Sequence, residues 1–218
     1  INYFGAGADS IQAAEPFIKD FENFKLAVFG GFEFRGKYDT LYDFYAGNTK
    51  AGVNMLDTGA IASQIREYRK KFQDIFIIIY PHWGSNYKPA SEEQKVSAHK
   101  FIDAGADMVI GHGAHTIQEV EHDNGKWILY NIGNFSFNAP GRYTSSRAKP
   151  YGFITQLVIN NKKKTLRLYP VYTENHEIDY QLRFLDEDES EDCYKFILND
   201  NVKGKIKKSA NGFIELLF

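Results

Sequence analysis

Three of the six histidines follow short apolar runs of the kind that become buried strands. His82 comes straight after Ile75–Tyr80 and Pro81, while His112 and His115 follow Ala106–Ile110 in Gly111-His112-Gly113-Ala114-His115. Ligands of open α/β sheets sit beyond the carboxyl ends of the strands, so these loops converge if the two strands are neighbours. Imidazole suits zinc, iron, nickel and copper, and three rings could hold one ion or half of a two-metal centre. Gly111 and Gly113 would let the backbone turn tightly there. The competing reading makes each ring an ordinary hydrogen-bonded group at a strand end; the grouping favours a site. His99 in a helical pattern and His122 in a hairpin pattern read as structural or solvated, and His176 as surface.

Asn134, in Ile132-Gly133-Asn134-Phe135, is either a carboxamide presented by a tight turn or a plain Asx turn. Ser145, Ser146, Arg147 and Lys149 follow Pro140-Gly141-Arg142 and read as a flexible cationic loop. Such a loop can hold an anionic group, or simply be solvated. A net charge of -2 provides no general basic field, so nucleic acid is not an expected partner. Cys193 is the only cysteine, which excludes an internal disulfide and a C-x-x-C zinc pattern. The acidic run Asp186–Asp192 reads as a solvated surface turn.

The elements that must position these residues are legible in outline. Asp9 and Ser10 open a helix whose apolar positions are Ile11, Ala14, Phe17, Ile18 and Phe21; Lys25–Phe29 is a strand, and residues 30–54 a long loop. A helix follows Asp57-Thr58 with Ile61, Ile65, Tyr68 and Phe72 on one face. Asp74–Tyr80, a helix from Ser91 to about Gly105, and Ala106–Ile110 form a βαβ unit with parallel strands. Ile117–Glu121, Trp127–Ile132, Gly152–Ile159 and Thr165–Val171 look like antiparallel hairpins, with turns at Asp123-Asn124-Gly125 and Asn160-Asn161-Lys162. The tail from Tyr194 to Phe218 is expected to form one helix and one strand.

Taken in order, His82-Trp83-Gly84, the stretch Ile102 to Asp107, Gly111 to His115, and Tyr130 to Phe135 resemble the bacterial CapA family of capsule (poly-γ-glutamate) biosynthesis proteins. Gly5-Ala6-Gly7 with Glu15-Pro16 fits the same pattern, and the resemblance runs over residues 1 to 173. It implies a calcineurin-like metallophosphoesterase fold, an α/β (α+β) sandwich of two mixed sheets flanked by helices. Residues 1–180 would be the C-terminal portion of that domain, its N-terminal part lying upstream, and 181–218 an extension packed on it. By the same resemblance His82, His112 and His115 are metal ligands for one or two divalent ions (Mn, Zn or Fe), with His112 and Asn134 catalytic. Asn86 stands where the family has Glu, Gly113 and Ala114 replace its second His and Pro, and Asp9 replaces its Asn. Asn86, Arg147 and Lys149 are the expected contacts to an anionic small-molecule or polymer substrate. The implied activity is metal-dependent hydrolysis of a phosphoester or a γ-glutamyl polymer. The alternatives are metal-assisted acid–base chemistry on a peptide, or a non-catalytic polymer-binding accessory on the same fold. Membrane association and an extracytoplasmic location would require an upstream segment; without one the expectation is cytoplasmic.

Overall fold

Short apolar runs between capped helices build this chain, and the computed structural model describes residues 2–22, 24–137, 141–160 and 163–218. Two compact units emerge, one from residues 1–84 and 92–111, the other from 85–91 and 112–218.

The first unit runs β1 (Ala6–Gly7), α1 (Ser10–Ala13), β2 (Phe17–Phe21), β3 (Phe24–Phe32), α2 (Gly36–Tyr42), β4 (Gly52–Val53), α3 (Thr58–Lys71), β5 (Ile75–His82), α4 (Glu92–Ala104) and β6 (Met108–Ile110). β3 pairs in parallel with β5 from Lys25↔Ile75 to Phe32↔His82, and β5 in parallel with β6. Parallel neighbours need crossovers, which α3 and α4 supply. The Asp57 carboxylate caps α3 by accepting from Ala60 N at 2.9 Å. Ile61 and Ile65, one turn apart, are buried, and Arg69, Lys70 and Lys71 meet the negative end of the helix dipole. α4 stops at Gly105, whose φ of +113° suits glycine. Arg69 Nε donates to Gly105 O at 2.6 Å and its guanidinium pairs with Asp107, which accepts from Ile77 N at 2.8 Å. One ion pair thus ties α3 to the end of α4 and to the start of two strands. Ile77, Ile79, Phe101, Met108 and Val109 are buried in the core of this unit.

Two expectations change in this unit. The first helix is one turn long, and Phe17, Ile18 and Phe21 lie on β2, antiparallel to β3 from Phe17↔Val28 to Phe21↔Phe24. Pro16 is the cause, since a proline drives its predecessor out of the helical region. Residues 30–54 are also more than a loop: β3 continues to Phe32, α2 follows, and β4 pairs with β1. Aromatic packing orders the segment, with Phe32 against Phe44 at 5.0 Å and Tyr45 hydroxyl donating to Glu33 O at 2.7 Å.

The second unit runs β7 (Val120–Asp123), β8 (Lys126–Leu129), α5 (Arg142–Ser146), β9 (Tyr151–Asn160), β10 (Lys163–Tyr172), α6 (Asn175–Ile178), β11 (Arg183–Phe184), α7 (Glu187–Ile197), β12 (Ile206–Lys208) and β13 (Ile214–Leu217). Asn124-Gly125, both at positive φ, close the β7–β8 hairpin as that dipeptide should. β9 and β10 pair along their whole length; Asn161 and Lys162 of their turn, like Pro140, lie outside the described residues. Residues 181–218 supply β11 and β13, which also pair with β10, and β12, which pairs with β13.

The acidic run forms a helix rather than a surface turn. Asp186 accepts from Glu189 N at 2.9 Å and Glu189 accepts from Asp186 N at 3.0 Å, a complete capping box. Glu187, Asp188 and Glu189 then face the positive end of the dipole, so their charge favours the helix. Two strands, not one, follow it, because Lys205 to Phe218 folds back as the β12–β13 hairpin. Cys193 is fully buried on α7, its thiol pushed up to about 12 by burial, which makes it inert. The architecture is mixed α/β, and among the described residues no helix is long and apolar enough to cross a membrane.

Candidate functional site

In the first unit His82 ends β5, and its ring lies flat on Phe32 with centroids 4.1 Å apart. The turn after it is held by two residues of the supposed loop. Glu33 carboxylate accepts from Gly84 N at 3.2 Å, and Arg35 Nη2 donates to Gly84 O at 2.9 Å. Gly84 has a φ of +87°, a backbone conformation that side-chain-bearing residues rarely adopt, and a Cβ there would also press on the Gln94 amide at 2.9 Å. Trp83 is fully buried. His82-Trp83-Gly84 is therefore a fixed turn presenting one imidazole.

In the second unit Gly113 takes a φ of +111° and His115 one of +62°. Left-handed backbone at a histidine is costly, and hydrogen bonds hold it here. Asn134 is buried and directs its carboxamide at His115: Nδ2 donates to His115 O at 3.1 Å and to the Tyr143 hydroxyl at 2.6 Å. A carbonyl can only accept, so the carboxamide has a single orientation. Its Oδ1, 2.9 Å from His115 Nδ1, must then accept a hydrogen bond donated by that nitrogen's N–H. The neutral ring consequently keeps its lone pair on Nε2. Tyr143 passes the chain on to Thr173 Oγ1 at 2.8 Å, which donates to Pro150 O at 3.1 Å. Tyr87 and Phe137 stack on His115 at 5.7 and 4.3 Å.

His112 is half-buried, and desolvation lowers its pKa to about 4, so it is neutral near pH 7. The sign follows directly. Protonation favours the unfolded chain, where the imidazole titrates near 6.5, so stability is fully present above that value. It falls as pH drops from about 6.5 towards 4. Melting temperatures between pH 7 and 4.5 should fall less steeply for His112→Gln than for the parent chain, and identical slopes would refute the assignment.

The remaining expected residues are placed as follows. Asn86 is exposed. Arg147 is exposed at a φ of +54° just after α5, a short helix where a flexible loop was expected. Lys149 Nζ is held by both Asp192 oxygens at 2.8 and 2.7 Å, and Asp192 also accepts from the Tyr151 hydroxyl at 2.9 Å. Its ammonium is thus already engaged by a carboxylate. Among the described residues no group of three or more His, Cys, Asp or Glu side chains is assembled to hold a metal ion. Taken singly, a neutral His112 and the Nε2 lone pair of His115 have ligand chemistry, without a complete donor set around them. Sequence spacing gives no sign of Tyr87, Tyr143 or Thr173, because each joins the His115–Asn134 network only through long-range packing.

The family model described as "Bacterial capsule synthesis protein PGA_cap" matches residues 1–139, ending before the 173 reached by the motif resemblance. The chain is 35% identical over 96 residues to the PGA biosynthesis protein CapA of Bacillus subtilis, covering 44% of this chain and 25% of that protein. A Mycobacterium tuberculosis protein named "probable polyglutamine synthesis accessory protein" is 47% identical over 58 residues, 26% of this chain and 15% of its own length. The matches thus span a quarter or less of these two relatives. Among solved structures, a novel phosphatase of Mycoplasma pneumoniae aligns over 85% of this chain and 63% of its own at 8% identity, with a TM-score of 0.38. That correspondence is too loose to argue from. On the family match, the chain belongs to the bacterial capsule synthesis protein PGA_cap family.

Proposed function

We propose that this chain is a polymer-binding accessory of capsule biosynthesis, holding a poly-γ-glutamate-type chain without cutting it. The observation that carries this is the engagement of Asn134. Both ends of its carboxamide are bonded to His115 and Tyr143, so its observed role is to brace a turn. Around it the surface suits a flexible polyanion. Phe135 and Phe137 are 61% and 43% exposed, and Arg142 and Arg147 bracket α5 as exposed cations. The accessory role in the name of the mycobacterial relative agrees.

The test is fluorescence anisotropy with labelled poly-γ-glutamate, followed by sizing of the polymer after prolonged incubation. Retention should weaken roughly tenfold in the Arg142→Ala/Arg147→Ala double variant and on raising salt, since exposed charge contacts are screened. Polymer length should not change. Failure of the chain to retain the polymer would remove the proposal.

A second reading rests on the neutral His112 and the Nε2 lone pair of His115. With upstream residues of the longer relatives they would hold one or two ions of Mn, Zn or Fe in a metallophosphoesterase-like sandwich. Bound metal would supply an activated water for hydrolysis. Polymer shortening that requires added metal and disappears in His112→Ala would put this reading first.

A further inference from the structure

In the second unit, the backbone of residues 149–152 touches the His115–Asn134 site at every position. Lys149 O accepts from Thr116 Oγ1 at 3.1 Å, and Thr116 directly follows His115. Pro150 O accepts from Thr173 N at 2.9 Å and from Thr173 Oγ1 at 3.1 Å, the same hydroxyl that meets Tyr143. Tyr151 O lies so close to Gly133 that a Cβ there would come within 2.5 Å of it, and Gly152 is packed as tightly on Asn134 O. The placement of this segment therefore decides where the turn carrying His115 and Asn134 stands.

The side chains of the segment lead elsewhere. Pro150 drives Lys149 into extended backbone, and residues two apart on such backbone share a side. Lys149 and Tyr151 both end on one carboxylate of α7. Asp192 accepts from Lys149 Nζ at 2.8 and 2.7 Å and from the Tyr151 hydroxyl at 2.9 Å. The helix that carries it is itself well held: Cys193 and Ile197 are buried, and Arg183 grips Glu189 through two bonds of 2.6 and 2.7 Å. The Lys149 and Asp192 side chains are 42% and 43% exposed, and a pair so open to water adds little to stability. Its effect is on placement, because three bonds converging on one carboxylate fix direction as well as distance. We propose that Asp192 is a positioning residue of the candidate site, acting through Lys149 and Tyr151 to hold the His115 turn and the end of α5. Lys149 then serves as a strut between α7 and the site. The C-terminal segment, which lies beyond the residues matched by the family model, becomes part of the support of that site. Arg147 stands two residues before Lys149, so the same contact steadies one of the cations assigned to the polymer. That last consequence rests on the polymer reading.

The test is NMR of the full chain, reading the His115 ring nitrogens and the amides of residues 116, 134 and 143. Asp192→Asn should move these signals, and Lys149→Met should move the same ones. Lys149→Arg, which keeps a cation able to grip the carboxylate, should leave them near their parent positions. Glu191→Gln is the control, since Glu191 neighbours Asp192 on α7 but pairs with Lys195 and Lys208. It should leave the site signals unchanged. Melting temperatures should stay close to the parent's throughout, as expected for exposed pairs, so partial unfolding does not mimic the effect. Retention of poly-γ-glutamate should weaken about threefold in Asp192→Asn, a change of the size an exposed ion pair can supply. If Asp192→Asn does not fold, Lys149→Met decides. Site signals that stay in place in both variants, or that move equally in Glu191→Gln, would overturn the proposal. A parent chain that retains no polymer would remove the polymer reading alone, and the site signals would still decide the role of Asp192.

Discussion

Gly152→Ala should destabilise the chain by roughly 3 kcal/mol or more, the upper range for forcing a methyl group into packed backbone. A Cβ at residue 152 would lie 2.0 Å from the carbonyl oxygen of Asn134 and 3.1 Å from its carbonyl carbon. Neither obstacle is a side chain that could rotate away. Either β9 moves outward, against its register with β10 at Gly152↔Val171, or the Asn134 turn retreats from His115. Phe153 N, which donates to Ile132 O at 2.8 Å, resists the first response. Urea unfolding measures the loss, and a variant within about 0.5 kcal/mol of the parent, the ordinary range for a harmless surface change, would contradict this packing.

Asn134→Leu should cost about 2–4 kcal/mol, since leucine fills a similar volume but leaves His115 O and His115 Nδ1 without a partner in a buried site. Tyr143 keeps its bond to Thr173 and loses only its donor. The more telling change is at the ring. With Oδ1 gone, nothing selects the Nδ1–H tautomer, so the 15N signals of His115 should move towards a tautomer mixture. Signals that stay put would mean that another group orients the imidazole. Because Gly152→Ala and Asn134→Leu disturb the same turn, their effects should not add. A double variant losing clearly less than the sum would show that they share one structural element.

The relation of sequence to structure was uneven, for local reasons. β5, α4 and β6 were legible because an uncharged apolar run, a helical period and Gly105 act within a few residues of one another. α1 and β2 were misread because Ile11, Ala14, Phe17 and Ile18 fit a helical spacing that Pro16 forbids. α7 was hidden by composition: seven residues rich in acid suggest solvation unless the Asp186–Glu189 capping pair is weighed first. For the candidate site, the motif showed which histidines and which asparagine to watch. It could not show that Asn134 grips His115, a contact 19 residues apart, nor that Tyr143 links Asn134 to Thr173. Those pairings are set by how β9 and β10 return the chain, which no local pattern encodes.

The pairing of β10 with β13 also bears on how the molecule is made. Leu166 of β10 lies opposite Leu216, and the indole of Trp127 donates to Leu217 O at 3.1 Å. During ribosomal synthesis the second unit therefore cannot close until residue 217 has left the exit tunnel. Residues 85–91, which belong to it, emerge long before and must wait unpaired. Every strand of the first unit, by contrast, is available once residue 110 is out. Nascent chains stalled at increasing lengths should gain protease resistance in two steps, the later one arriving only with β13.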